Sequence, residues 1–274
     1  MPRRSLTDAL LMTYTIGSLI FIYFPLAMVV LLSFNSNQSI SLPFGSFTTY
    51  WYTGPLGFLG LGGFFNDPLV LTAIWNSVYV ALVVSALTTF LALTSALALR
   101  WRFPGRDVFF YSILAGLFIP GVLYGLGTAF MYHDLSLPAS LLAVVPLQTV
   151  FALPFGLLLL LPAFDRELER FELTARTLGA GPWATFARIT FPLVSFRVVG
   201  VAIFSFVISW GELIRSAFVS YGRGTLPLLL YSRVQIGIVT PQLYAIGTVV
   251  MALAVVLIVL AGLLLTRGRR GLFR

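Results

Sequence analysis

The chain has 274 residues, of which 59% are hydrophobic and only 9% are charged, and its net charge is +8. Soluble domains average about 45–50% apolar and about 25% charged residues, so this composition excludes an ordinary soluble domain and indicates a membrane protein. The absence of cysteine excludes a disulfide framework, a cysteine zinc site and a thiol nucleophile.

Long apolar runs dominate the sequence from its beginning to its end. A bilayer core about 30 Å thick requires about 20 apolar residues in a helix. Six runs are long enough and predict six transmembrane helices at residues 9–34, 69–99, 107–131, 138–162, 193–218 and 243–266. The first run is too long for a signal peptide and lacks a small-residue cleavage site, so we expect an uncleaved span.

The arginines predict the orientation of these spans. All 17 basic residues are arginine, and the loops 35–68 and 132–137 contain none of them. Fourteen lie before the first run, after the last, in the alternate loops or, for Arg197, just inside the start of the fifth run: Arg3, Arg4, Arg100, Arg102, Arg106, Arg166, Arg170, Arg176, Arg188, Arg197, Arg267, Arg269, Arg270 and Arg274. Because cytoplasmic loops carry the excess of positive charge, we expect both termini in the cytoplasm. Arg215, Arg223 and Arg233 belong to the fifth run and the outer loop behind it. The sequence has no basic patch interleaved with aromatic residues, the pattern that would indicate nucleic-acid binding.

The loop between the fourth and fifth runs has its own pattern. Four apolar residues at helical spacing predict one face of a short helix: Leu168, Phe171, Ala175 and Leu178. Gly-Ala-Gly at 179–181 ends it, and Pro182 suits the first turn of a second short helix with Trp183 and Phe186 on one face. The pattern fits an interfacial helix on anionic lipid as well as a protein-docking surface. A chain without lysine has no P-loop, so any ATP must be bound by another protein.

Several segments resemble a known family. Residues 174–193, TARTLGAGPWATFARITFPL, resemble the EAA loop of binding-protein-dependent ABC importer permeases, with Gly179, Ile189 and Pro192 in register. FPLAMVVLLSFNSN, FTTYWY, NSVYVAL and TLPLLLYSRVQIGIVTPQLYAIGT resemble the spermidine/putrescine branch of that family. One departure concerns the motif's glutamate. Its position, six residues before the glycine, holds Leu173, and Glu172 lies one place earlier.

The resemblance implies a fold class and a domain organisation. We expect an all-α, polytopic membrane protein with six transmembrane helices, the MetI-like fold of type I ABC importer permeases, in the bacterial inner membrane. Residues 1–68 would form the N-terminal helix and an extracytoplasmic loop. Residues 69–266 would form the transmembrane core, with a cytoplasmic coupling loop at 165–192, and residues 267–274 would form a basic cytoplasmic tail.

The resemblance also implies partners and a division of labour. A second homologous permease, two ATP-binding cassette ATPases, an extracytoplasmic substrate-binding protein and membrane lipid would surround this chain. ATP and Mg would be bound by the ATPases, so we expect no catalytic residue, metal or cofactor here. The solute would be a polyamine-like or related small organic ion. Seven residues would couple the permease to the ATPases: Ala175, Leu178, Gly179, Ala180, Gly181, Trp183 and Phe186.

Ionisable residues inside a span default to functional hypotheses, and Glu212 and Arg215 lie in the fifth predicted run. They form an ion pair with each other, or Glu212 lines the path of a cationic solute that Arg215 would repel. Trp210 and Tyr231 complete this candidate substrate pathway. The single histidine, His133, beside Asp134, offers too few ligands for a metal site.

Two rival functions make different demands on the sequence. A secondary transporter driven by an ion gradient predicts acids at the midplane and broken helices with repeated half-sequences. The sequence shows one acid within a predicted span, near its end, and no internal repeat. An intramembrane enzyme requires a His/Asp/Ser or metal cluster in the spans, and the sequence has none there.

Overall fold

The computed structural model describes residues 6–37, 44–57, 61–138, 140–220 and 224–272. Helices make up the regular elements of these ranges: α1 (Leu6–Leu32), α2 (Tyr50–Thr53), α3 (Pro68–Leu99), α4 (Arg106–Ala115), α5 (Gly121–Asp134), α6 (Val144–Leu160), α7 (Arg166–Thr177), α8 (Pro182–Thr185), α9 (Phe191–Trp210), α10 (Leu226–Gln235) and α11 (Pro241–Leu272). An isolated antiparallel bridge joins Asn35 to Phe47. Arg3, Arg4, Arg223 and Arg274, on which the predicted orientation partly depends, lie outside the described residues.

Helix α3 shows how the sequence sets an uninterrupted span. Its 32 residues contain no glycine, and its one proline, Pro68, occupies the first position, where a missing N–H costs nothing. Asp67 caps the helix, because its Oδ1 accepts hydrogen bonds from the N–H groups of Leu69 at 3.0 Å and Val70 at 3.3 Å. The prediction of a helix over 69–99 is confirmed.

Four segments of the described chain are long and apolar enough to cross a bilayer, at Leu10–Leu32, Pro68–Leu99, Leu141–Ala163 and Pro182–Trp210. The third predicted run, 107–131, is not one helix, so that prediction is wrong. It is divided into α4 and α5 at residues 116–120, where Gly116 and Pro120 disfavour helix. The N–H groups of residues 116–118 still bond to carbonyls three residues back, at 3.0–3.2 Å. Helix α11 contributes a shorter apolar segment, Pro241–Val256.

The fifth predicted run also differs from the structure at its outer end. Helix α9 ends at Trp210, and Gly211 follows as its C-cap, whereas the prediction continues the helix to residue 218. Glu212 and Arg215 therefore lie in the turn that follows the helix and not within it. In the predicted outer loop beyond this turn, the chain forms the ten-residue helix α10.

The chain divides into two compact units, Met1–Leu71 with Ser232–Arg274, and Thr72–Tyr231. In the first unit, α1 packs against α11. Trp51 is buried there and donates its indole N–H to the carbonyl of Asn35 at 2.8 Å. Much of the α1 surface remains apolar and exposed, as at Phe21 with 82% of its surface accessible. This exposure suits a helix that faces lipid.

The core of the second unit lies where α3, α6 and α9 meet. Buried aliphatic residues from these helices form one of its clusters: Ala92, Ala96, Leu99, Leu157, Leu160 and Val201. Gly156 brings the three backbones close, because a Cβ at this position would lie 3.0 Å from the Val201 side chain and 3.1 Å from that of Ala92. Small residues at such crossings allow membrane helices to pack by van der Waals contact.

Candidate functional sites

The predicted break at residues 179–181 forms a sharp corner between α7 and α8. Gly179 has φ +88°, in the left-handed region that glycine adopts without strain. The N–H of Ala180 bonds to the carbonyl of Ala175 at 3.0 Å and the N–H of Gly179 to that of Arg176 at 3.0 Å, which closes the end of α7. Pro182 then occupies the first turn of α8, as predicted.

Apolar side chains project from this corner into solvent. Leu178 is 83% exposed and Trp183 is 77% exposed. Phe186 is half-buried between the rings of Trp183 and Phe191, with centroid distances of 5.8 and 6.0 Å. The corner therefore presents a leucine and a tryptophan on a tight backbone. Aromatic residues are enriched at the cores of protein interfaces.

The second short helix does not stop before the membrane-spanning helix. A π-helical turn, Phe186–Thr190, joins α8 directly to α9. Pro192 lies in the first turn of α9, where proline is tolerated. The corner is thus continuous with a span.

Glu172 ties α7 to two other elements. Its carboxylate accepts hydrogen bonds from the Arg100 guanidinium at 2.9 and 2.5 Å and from the Thr190 hydroxyl at 2.5 Å. Burial raises the pKa of Glu172, but the hydrogen bonds from Arg100 and Thr190 and the charge of Arg100 outweigh this effect, so its pKa lies below the usual range. Glu172 therefore stays ionised at neutral pH.

A second ion pair, between Glu212 and Arg215, lies beyond the end of α9. Arg215 donates from Nη1 to Glu212 Oε2 at 2.6 Å and from its backbone N–H to Oε1 at 2.9 Å. The guanidinium also lies 3.4 Å from the centroid of the Phe151 ring, a cation–π contact. The two side chains are 8% and 13% exposed. The mutual ion pair, one of the two predicted alternatives, is what the structure shows.

Known proteins share both the sequence and the fold of this chain. The putrescine transport system permease protein PotI of Escherichia coli K12 is 28% identical over 260 residues, covering 91% of this chain and 88% of that protein. The spermidine/putrescine transport system permease protein PotC of the same strain is 26% identical, covering 92% and 93%. A chain of a bacterial ABC transporter involved in alginate import has the same fold, with a TM-score of 0.68 at 15% identity, covering 97% and 99%. No family model matches.

In sequence the chain is similar to polyamine-transport permeases, and in fold it is similar to a chain of an ABC importer. Its relatives are transport permeases and not enzymes. The chain is all-helical in its described residues and has four helices long enough to cross a membrane, which confirms the all-α part of the predicted fold class.

The predicted coupling residues of the permease do not all face the surface. Gly179 and Gly181 are exposed and Ala180 is half-buried, whereas Ala175 is only 8% exposed. Ala175 packs inside the permease because the buried face of α7 is Leu168, Glu172 and Ala175, not the predicted apolar stripe. Phe171, 49% exposed, belongs to the outer face with Leu178. An ionised glutamate takes the inward position because Arg100 and Thr190 satisfy it.

The candidate pathway residues lie on different elements. Trp210 is the last residue of α9 and stacks on Phe206 with centroids 6.0 Å apart, and Tyr231 lies on α10, 46% exposed.

Sequence reasoning missed the group that the structure places beside Glu212. Gln148 of α6 accepts a hydrogen bond from Ser209 at 2.5 Å and donates one to Ser216 at 2.8 Å, all three buried. The signal that could have revealed this group is Gln148 itself, the one amide side chain in the fourth apolar run.

A buried polar cluster in the first unit also escaped the sequence analysis. Arg233 donates to Asp67 at 2.7 Å and to Gln242 at 2.8 Å, and Gln242 donates to the carbonyl of Gly62 at 2.7 Å. Burial raises the pKa of Asp67, but hydrogen bonds from Arg233 and Gln242 hold it below its usual range. The cluster fixes the start of α3 and the turn between α10 and α11, since Asp67 also caps α3.

Proposed function

We propose that this permease moves a small organic ion across the bacterial inner membrane when ATPase subunits that dock on the α7–α8 corner change shape. The observation that carries the proposal is the pair of exposed side chains, Leu178 and Trp183, on a corner continuous with α9. Displacement of the corner would move a membrane-spanning helix with it, because no loop intervenes to absorb the motion.

The proposed assembly contains two ATPases, a second homologous permease and an extracytoplasmic binding protein. ATP and Mg would bind on the ATPases. ATP would favour one arrangement of the ATPase pair, and the docked corners would pass that preference to the permeases as a population shift. This chain would contribute the docking surface and half of the path, and hydrolysis would occur elsewhere.

The proposed membrane arrangement keeps six crossings with both termini in the cytoplasm. Together α4 and α5 would form the third crossing, because the N–H groups of residues 116–118 in their interruption stay bonded within the chain, as a membrane favours. Helix α11 would form the sixth. Residues 1–68 would supply the first helix and an extracytoplasmic loop, 69–266 the core with its coupling loop at 165–192, and 267–274 a basic tail.

The proposed cargo is polyamine-like, because PotI and PotC are named for putrescine and spermidine transport. Glu212 is the carboxylate nearest the proposed path. Since it is already matched by Arg215, a cationic cargo would have to replace the guanidinium at Glu212 during passage. Trp210 and Tyr231 would line the same path.

Charge placed on the corner tests the docking role. We expect Leu178→Asp to lower putrescine uptake by roughly tenfold or more, since a desolvated charge in an apolar contact costs at least about 1.4 kcal/mol. Leu178→Met keeps the apolar contact and serves as the matched control. Uptake of [14C]putrescine and co-purification of the ATPase are measured in membranes that hold the complete importer. Normal uptake and ATPase retention by Leu178→Asp would overturn the docking role.

A further inference from the structure

Glu172 differs from the other acids of α7 in where it lies. It is 5% exposed, whereas Glu167 and Glu169 are on the surface. Leu173 stands at the position where the resembling motif has its acid, and it is 54% exposed. In this chain the surface position is apolar and the charge is turned inward. A partner protein therefore cannot reach the Glu172 carboxylate without unfolding the corner.

Three elements meet at this one carboxylate. Glu172 belongs to α7, Arg100 follows the last residue of α3, and Thr190 ends the π-helical turn that leads into α9. The guanidinium of Arg100 also lies 5.2 Å from the centroid of the Phe164 ring, beside the start of α7. A bidentate arginine–carboxylate pair fixes direction as well as distance, whereas an apolar contact between helices permits sliding.

We propose that Glu172 is a positioning residue that makes α7, the end of α3 and the start of α9 move as one body when the corner is displaced. This inference rests on the proposed docking of an ATPase at the corner. The Glu172 side chain is 7% exposed and that of Arg100 is 25% exposed. Partly exposed ion pairs contribute little to stability and buried ones are often replaceable by apolar residues, so the pair here is explained better by its directional hold than by a contribution to folding.

The test compares the helix positions before and after ATP drives the assembled importer. The chain has no cysteine, so Arg170→Cys on α7 and Ala98→Cys on α3 give this subunit two unique spin-label sites, both exposed. The distance between the labels is measured by pulsed electron resonance with and without ATP and vanadate. We expect one unchanged distance with Glu172 in place. With Glu172→Gln we expect a shifted or broadened distance on ATP and vanadate.

Transport per ATP hydrolysed provides the second readout, with [14C]putrescine as cargo. We expect Glu172→Gln to lower this ratio by about 5- to 150-fold, the usual size of coupling between two sites. Glu169→Gln, on the exposed side of α7, is the matched control and keeps the ratio. The exchanged pair Arg100→Glu with Glu172→Arg restores coupling, whereas Arg100→Leu with Glu172→Leu assembles but stays uncoupled.

Several results would overturn the inference. An unchanged label distance and coupling ratio in Glu172→Gln contradict it, and so does full coupling in the double-leucine variant, which would show that packing alone suffices. If Glu172→Gln fails to assemble, Arg100→Lys, which keeps the charge but loses the bidentate geometry, must still broaden the label distance, and wild-type behaviour refutes the inference. The proposed docking stands or falls separately, because Leu178→Asp acts at the surface and leaves Glu172 intact.

Discussion

Glu212 and Arg215 balance each other's charge in a protein of which only 9% of the residues are charged. Both are largely buried and share two hydrogen bonds, and Arg215 also lies over the face of Phe151. Sequence spacing placed them three residues apart and left open whether they meet each other or a solute. The sequence could not supply Phe151, because a contact across 64 positions depends on how α6 packs beside the turn after α9.

Variants of this ion pair distinguish a structural role for Glu212 from a role in the solute path. Glu212→Gln leaves Arg215 buried without its partner, so we expect a loss of roughly 3–5 kcal/mol in stability and a lower midpoint of thermal unfolding in detergent. Glu212→Gln with Arg215→Met removes both charges and should recover most of that stability.

Putrescine uptake by the double variant then decides the role of Glu212. If Glu212 meets the cargo, the double variant is stable but transports poorly. Wild-type uptake by the stable double variant would leave Glu212 with only its ion pair.

Glu172 shows the same limit of sequence reasoning more sharply. Glu172 lies four residues before Arg176, a spacing that favours a pair along one helix, but the structure pairs it with Arg100, 72 residues away. Local spacing predicted the Gly179 corner and the Pro182 start because backbone conformation there depends on nearby residues. It could not predict which face of α7 is buried, since that depends on α3 and α9.

Among the helices, predictions succeeded where the chain carries no breaker and failed at glycine and proline. Helix α3 is continuous, whereas Gly116 and Pro120 divide the third run and Gly211 ends the fifth. Hydropathy averages over such positions, so a run that is apolar throughout need not be helical throughout. Helix α10 was missed because the Ser77 hydroxyl, far along the chain, accepts the N–H of Leu226 at its start.

The outer arginines are consistent with the proposed orientation of the helices. Arg215 pairs with Glu212 and Arg233 with Asp67, so neither carries an unmatched charge to the outer side. The other arginines therefore still favour a cytoplasmic location for both termini.

Cysteine labelling tests this orientation directly. We expect Leu56→Cys, in the first predicted outer loop and 51% exposed, to react with a membrane-impermeant maleimide added outside intact spheroplasts. Arg102→Cys, between α3 and α4, should react only after permeabilisation. The chain lacks cysteine, so an unsubstituted control gives no signal. The opposite pattern would invert the proposed topology.

Over the described residues, the molecule presents the proposed docking corner and few acids that could couple transport to an ion gradient. An ion-gradient transporter needs acids near the midplane that load and release the coupling ion. In the described residues, Glu212 is paired with Arg215 and lies beyond α9, and the interrupted α4–α5 segment carries its acids at its two ends, Asp107 and Asp134. The α7–α8 corner, by contrast, joins an exposed apolar surface to a span.

Reconstitution in liposomes tests this dependence on a partner's ATP most directly. One set of vesicles holds this chain alone, and the other holds it with its second permease and ATPases and is supplied with the binding protein. We expect [14C]putrescine uptake only in the complete set, only with ATP on the ATPase side, and none with a non-hydrolysable ATP analogue. Accumulation of putrescine by the chain alone, driven by an imposed proton or sodium gradient, would contradict the account.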